Sequence, residues 1–236
     1  MSRFLEIEGL SGGYMKGFRT LQDISFSADK GEAVAIIGLN GSGKSTLGRA
    51  IMNLLPWRSG SIRVEGVPYE KKSTHELVMA GFAIMHQGGT VFPNLSVRDN
   101  LSLAWGKNPD SQYRKELEET IPLLSSAGGS WMTMSADKLS GGQRLELALA
   151  MTLARKPKLV ILDEPSAGLA PDAIEAAYAI LTKIKQRYGA TILLIEQNFY
   201  RAYEFCDRCA LMQSGSKIQD LTGKDITEIE SIIFHQ

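Results

Sequence analysis

Gly38-Leu39-Asn40-Gly41-Ser42-Gly43-Lys44-Ser45-Thr46 fits the phosphate-cradling pattern G-x-x-x-x-G-K-[ST]. The apolar run Ala33 to Ile37 precedes it, and a helix-compatible run, Leu47 to Leu55, follows. That order is the one such a loop needs: a strand delivers the chain, glycines let the backbone curl, and the next helix turns its unsatisfied N–H groups toward an anion. Gly38, Asn40, Gly41, Ser42 and Gly43 are then expected to wrap phosphate, with Lys44 on the β- and γ-phosphates. Ser45 places its hydroxyl on Mg²⁺, and Thr46 helps to hold the phosphates.

Beyond this loop, the chain alternates helix with wholly apolar strand. Phe82 to His86, Leu159 to Leu162 and Thr191 to Ile195 read as strands, and Gly141 to Ala154 and Asp172 to Arg187 as helices. This alternation implies a mainly parallel sheet covered on both faces, an α/β core. Upstream, Phe4 to Glu8, Thr20 to Ser27 and Ser61 to Glu65 read as strands of an antiparallel lobe, with turns at Gly12-Gly13, Asp29-Lys30-Gly31 and Gly66-Val67-Pro68. A short helix is expected over Thr74 to Ala80. Between Ser96 and Ala127 the pattern is helical, broken at Lys107-Asn108-Pro109 and closed at Gly128-Gly129, as for a helical subdomain inserted over about 88–156.

Leu159-Val160-Ile161-Leu162-Asp163-Glu164-Pro165 narrows the chemistry. The apolar residues bury a strand, and the carboxylates emerge at its C-terminal end, where open α/β sheets bind ligands. Asp163 is expected to hold Mg²⁺ through its water shell. Glu164 is expected to orient or deprotonate an attacking water, since phosphoryl transfer needs chiefly positioning and charge stabilisation.

Composition sets outer bounds. The 236 residues hold 44% apolar side chains, enough for a core, and 26 basic residues balance 26 acidic ones. No global basic field argues for nucleic acid. No apolar run reaches the ~20 residues needed to span a bilayer, and Met1-Ser2-Arg3-Phe4-Leu5 lacks the apolar core of a secretory signal, so a cytoplasmic protein is expected. Cys206 and Cys209 form a lone C-x-x-C with no second ligand pair, and are expected to be reduced thiols.

Leu139-Ser140-Gly141-Gly142-Gln143 lies between the two phosphate-site elements, at the start of a helix. Such a Ser-Gly-Gly turn offers a second anion site at a helix N-terminus. With the loop at 38–46 and the acidic strand end at 163–164, it resembles the pattern of ABC ATPases, the engine subunits of ABC transporters, over essentially the whole chain. The resemblance implies one ABC ATPase domain over 1–236 that binds ATP with Mg²⁺. It further implies that Ser140, Gly141, Gly142 and Gln143 cap the nucleotide of an opposing subunit in a head-to-tail dimer, with a paralogue or with the same chain.

By the same resemblance Tyr14 stacks on adenine, and Gln87 touches Mg²⁺ or the attacking water. Val91 to Leu95 lies in the region that docks a short helix of a membrane subunit. Gln197 stands where most relatives carry a histidine that contacts the γ-phosphate, and Ala170 where an aspartate is usual. An amide can hydrogen-bond a phosphate but carries neither proton nor charge at neutral pH. These departures resemble the ATP-binding subunits of importers for branched-chain and related hydrophobic amino acids, amides or urea. Integral-membrane permeases, a second ATPase subunit and, indirectly, a solute-binding protein are the implied partners, at the cytoplasmic face of the membrane. An exporter engine and a soluble non-transport ABC ATPase are the alternatives.

Overall fold

A computed structural model describes residues 3–106, 110–125 and 131–234. The chain runs β1 (Arg3–Gly13), β2 (Leu21–Asp29), β3 (Ala33–Ile37), α1 (Lys44–Ile51), β4 (Trp57–Val64), β5 (Val67–Pro68), α2 (Thr74–Met79) and β6 (Phe82–Met85). Helices α3 (Val97–Trp105), α4 (Ser111–Thr120), α5 (Pro122–Ser125) and α6 (Gly141–Leu153) follow. Next come β7 (Leu159–Asp163), α7 (Pro171–Tyr188), β8 (Thr191–Glu196), α8 (Phe199–Phe205), β9 (Arg208–Gln213), β10 (Lys217–Asp220) and α9 (Ile226–Phe234).

The expected α/β architecture is present as two sheets. One is antiparallel, in the order β2-β1-β4-β5, and the other runs β10-β9-β3-β8-β7-β6. In the second, β9, β3, β8, β7 and β6 are mutually parallel and only β10 is antiparallel to its neighbour. β3, β7 and β8 are buried along their whole lengths, which is why they read as unbroken apolar runs.

Their side chains alternate between two cores. Val34, Ile36, Ile161 and Ile195 face α1 and the antiparallel lobe, with Leu47, Ala50, Ile51, Leu5 and Ile62 in the same cluster. Ala35, Ile37, Leu162 and Leu194 face the other way, into a cluster with Leu147, Leu149, Leu181 and Ile184. α3 to α6 add Leu101, Leu117 and Leu124 to that second cluster, so the helical segment shares its core with the sheet. Leu47 is fully buried, and truncating it to alanine would cost about 2–5 kcal/mol.

Local chemistry sets the helix starts. The Ser73 side chain accepts from Glu76 N and the Glu76 carboxylate accepts from Ser73 N, a closed capping box. Asp110 caps α4 by accepting from Tyr113 N, and α7 begins with Pro171 and ends at Gly189 in a left-handed conformation.

Several expected boundaries move. Gly12-Gly13 is no turn: β1 continues through it, pairing Gly12 with both Leu21 and Arg58. The glycines serve close approach instead, since a Cβ at Gly13 would lie 2.3 Å from the Phe18 carbonyl oxygen. Val67–Pro68 forms a two-residue strand against Arg63 and Val64 rather than a bare turn. The expected breaks at Lys107-Asn108-Pro109 and Gly128-Gly129 lie outside the described residues. No described helix is long and apolar enough to cross a membrane.

Candidate nucleotide site

Because β3, β8, β7 and β6 are parallel neighbours, their C-terminal ends deliver four loops to one edge of the sheet. β3 leads into the loop at 38–43, β8 into Gln197, β7 into Glu164, and β6 into His86 and Gln87.

The loop after β3 folds tightly. A Cβ at Gly38 would stand 2.4 Å from the Met212 carbonyl oxygen, and its φ of +154° with +78° at Gly41 and +99° at Gly43 makes the curl that L side chains resist. Lys44 is turned back over this loop, its Nζ donating to the carbonyls of Gly38 (2.8 Å) and Leu39 (3.0 Å). Burial lowers the Lys44 pKa, while the carboxylates of Glu164, Asp163 and Glu196 act in the opposite direction. The Ser42 hydroxyl is buried without a hydrogen-bond partner. A buried cation resting on main-chain carbonyls beside an orphaned hydroxyl fits a polyphosphate, whose oxygens would satisfy both.

Ser45 and Asp163 meet across 118 positions of sequence, Oγ donating to Oδ1 at 2.8 Å. Asp163 is almost wholly buried, and that burial raises its carboxyl pKa against the lowering effect of the Ser45 bond. A hydroxyl and a carboxylate oxygen side by side at a phosphate cradle are the hard oxygen donors that Mg²⁺ takes when phosphates complete its shell. The donor set therefore fits the ion.

Glu164 is the point of convergence. Gln87 Nε2 donates to its Oε2 and Gln197 Nε2 to its Oε1, each at 2.8 Å. Its own N–H donates to the Ile195 carbonyl at 2.8 Å, and its φ of +49° is left-handed, unusual for a side chain of this size. The carboxylate is thus held from both sides by uncharged amides, with its backbone fixed to β8.

Tyr14 lies beside the N-terminal end of α1. Its hydroxyl is 3.4 Å from Thr46 Oγ1 and accepts from Arg49 Nη1 at 2.7 Å, while 46% of the residue stays exposed. That leaves ring surface available for stacking.

Ser140, Gly141, Gly142 and Gln143 start α6. Ser140 and Gln143 form a capping box, Ser140 Oγ accepting from Gln143 N at 3.3 Å and Gln143 Oε1 accepting from Ser140 N at 3.0 Å. Ser140 and Gly141 are exposed, and a Cβ on Gly141 would meet Leu169, so this motif abuts the loop that follows Glu164. Phe92 is 48% exposed on a loop that Asn100 clasps through Phe92 N and O at 2.8 and 3.0 Å. Nearby α2, α3 and α6 border a groove of about 540 Å³ lined by Met79, Leu103 and Met151.

Sequence reasoning missed Glu196. It is 2% exposed and accepts from Ser166 Oγ at 2.7 Å. The only available signal was a carboxylate ending a strand that is apolar but for Thr191. Cys206 and Cys209 are free thiols, and the described residues include no cluster of three or more His, Cys, Asp or Glu suited to a metal.

A parallel sheet whose strand ends gather a glycine-rich phosphate loop, a Ser–Asp pair and a held carboxylate defines a nucleotide-hydrolysing protein of the P-loop class. The ABC transporter family model matches residues 21–167, and the chain belongs to that family as an ATP-binding, ATP-hydrolysing subunit. It is 33% identical to the high-affinity branched-chain amino acid transport ATP-binding protein BraG of Pseudomonas aeruginosa, over 89% of both chains. It is likewise 33% identical to a probable branched-chain amino acid transport ATP-binding protein, LivF, of Archaeoglobus fulgidus, over 94% of this chain and 93% of the relative. The ADP conformation of an ATP-binding cassette from an ABC transporter superposes with a TM-score of 0.80 at 27% identity, covering 99% of this chain and 95% of that one.

Proposed function

We propose that this chain powers the import of branched-chain or related hydrophobic amino acids, amides or urea through separate permease subunits. The solute class is supported by the two relatives at 33% identity over nearly their full lengths. The observation that carries the chemistry is the pair of amides, Gln87 and Gln197, closing on Glu164 beside Lys44 and Ser45.

In this reading Lys44, the N–H groups of residues 38–46 and the Ser42 hydroxyl bind the phosphates of ATP, and Tyr14 stacks on its base. Ser45 and Asp163, with Gln87, hold Mg²⁺, which when bound neutralises phosphate charge. Glu164 accepts a hydrogen bond from water and directs its oxygen at the γ-phosphorus; that P–O bond forms as the bond to the bridging oxygen breaks, leaving ADP and phosphate. Gln87 and Gln197 hold the Glu164 carboxylate in line while leaving its charge undiminished.

Ser140 to Gln143 caps the ATP of an opposing subunit, either a paralogue or a second copy, in a head-to-tail dimer. In the same reading the clasped Phe92 loop and the adjoining groove receive a cytoplasmic element of the permease, and the chain works at the cytoplasmic face of the membrane. A solute-binding protein acts through the permease.

Mass spectrometry of the complex drawn from detergent-solubilised native membranes with MgATP tests the assembly. Two multi-span permeases with a second P-loop ATPase are expected; recovery as a permease-free complex would overturn the transport reading. ATP-driven uptake of radiolabelled leucine into vesicles holding that complex tests import, and movement in the opposite direction would favour an exporter engine. Glu164→Gln should retain ATP binding while lowering kcat by about 10²–10⁴-fold. Normal turnover in that variant would remove Glu164 from the water-directing role.

A further inference from the structure

Glu196 ends β8 with its carboxylate buried and every neighbouring position of the strand apolar or Thr191. Oε1 accepts from the Ser166 hydroxyl at 2.7 Å and from Ser166 N at 3.3 Å. Oε2 accepts from the backbone N–H groups of Gln197 at 3.1 Å and Asn198 at 3.4 Å. One carboxylate therefore joins the loop that follows Glu164 to the turn that carries Gln197.

We propose that Glu196 is a positioning residue for hydrolysis, fixing the Gln197 amide and the Ser166 loop around Glu164. The geometry closes a ring. Glu164 leads by two residues to Ser166, Ser166 donates to Glu196, Glu196 holds the backbone of Gln197, and Gln197 Nε2 returns to Glu164 Oε1 at 2.8 Å. Any slack at Glu196 is passed to Glu164, and misplacement of a water-directing group by about 1 Å can cost about 10²-fold in rate.

The residue type follows from the donors. They approach from two sides, so both oxygens must accept. A glutamine offers one acceptor and would turn its NH₂ toward either the Ser166 N–H or the two N–H groups at the strand end. An aspartate is a methylene shorter and would not span both sides. Burying a carboxylate is costly unless it is well hydrogen-bonded, which separates this position from an ordinary core site.

This inference rests on Glu164 directing the water, so the test carries both. ATPase kinetics of the full chain with MgATP would compare Glu196→Gln, Glu196→Ala, Ser166→Ala, Gln197→Ala, the Glu196→Ala/Gln197→Ala pair and Glu164→Gln, each normalised to folded protein by circular dichroism. Glu196→Gln and Ser166→Ala are expected to lower kcat by about tenfold with KM for ATP within about twofold, the pattern of an interaction made in the transition state. The Glu196→Ala/Gln197→Ala pair is expected to fall no further than its worse single variant, because both act through one contact.

Losses in the pair that multiply, or a lowered Tm with kcat per folded molecule unchanged in Glu196→Gln and Ser166→Ala, would reduce Glu196 to a structural group. If Glu196→Ala fails to fold, the same cycle run with Glu196→Gln decides in its place. Normal turnover by Glu164→Gln would overturn the underlying reading and this one with it, whereas an inactive Glu164→Gln beside a multiplicative cycle would overturn only the role of Glu196.

Discussion

Gln197 Nε2 donates to Glu164 Oε1 at 2.8 Å, and Gln87 Nε2 donates to the other oxygen at the same distance. An amide orients a carboxylate without neutralising it, whereas a cation at that place would hold the carboxylate in an ion pair. Removing either amide frees the carboxylate to rotate. Gln197→Ala is expected to lower kcat by about tenfold, with KM for ATP nearly unchanged, because in the proposed mechanism the contact orients the water-directing carboxylate and takes no part in holding the base or ribose. Gln197→Glu should fall further, since it sets two carboxylates within hydrogen-bond distance. Steady-state ATPase measurements on both variants check the order, and a Gln197→Glu variant as active as wild type would contradict it.

Tyr14 offers a clean separation of two roles. Its hydroxyl bonds Thr46 and Arg49, while the ring is what would meet adenine. Tyr14→Phe keeps the ring and should leave ATP affinity within about threefold, since the bonds it removes, to Thr46 and Arg49, are made within the nucleotide-free chain and their net worth does not enter binding directly. Tyr14→Ala removes a stacking surface and should weaken binding by about tenfold or more, since base–aromatic stacking is worth ~1–3 kcal/mol. Titration with a fluorescent ATP analogue reads both. Equal losses in the two variants would place the role in the hydroxyl.

How much of this was legible in the sequence differs by element. β3, β7 and β8 were readable because strands buried on both faces need continuous apolar runs, and the motifs at 38–46 and 163–164 are local strings. Gly12-Gly13 misled because a glycine pair signals a turn, while here it admits the Phe18 backbone. The elements after Ile195 carry little periodic signal: α8 is short, with Phe199, Tyr200, Tyr203 and Phe205 spread around it, and β9 has no alternation. The convergence on Glu164 spans sequence separations of 77 and 33, and the Ser166–Glu196 bond spans 30, so only the fold brings these partners together.

The thiols give a prediction that turns on pH. Burial pushes the Cys209 thiol up to about 11, against 9.0 for an ordinary thiol, and raises Cys206 as well. Two pH units correspond to about 10²-fold less thiolate well below both values, and the thiolate is the reactive form. Alkylation of Cys209 by iodoacetamide at pH 8 should therefore be about 10²-fold slower in the native chain than in denaturant, with the native rate climbing as pH approaches 11, and Cys206 should be slowed in the same direction. Peptide mapping after timed labelling measures each site. Rapid native labelling of Cys209 would show that β9 opens readily.

Asp163→Asn should stabilise the nucleotide-free chain while destroying its activity. Burial raises the Asp163 carboxyl pKa, so its ionised form is less favourable in the folded chain than in the unfolded one. The folded state then holds the proton more tightly, and stability falls as pH rises from the unfolded value through the folded one. The penalty is absent below the unfolded pKa and complete only above the folded one. Asparagine keeps the shape and can still accept from Ser45, yet carries no charge. A gain of about 1 kcal/mol would raise Tm by ~2–4 °C for a chain of this size. With MgATP the order should reverse: wild type gains Tm through binding, while Asp163→Asn loses an oxygen charge suited to the cation and gains less. Differential scanning calorimetry at pH 7, with and without MgATP, reads both halves. A lower Tm for the variant without nucleotide would mean that the Ser45–Asp163 bond outweighs the burial penalty.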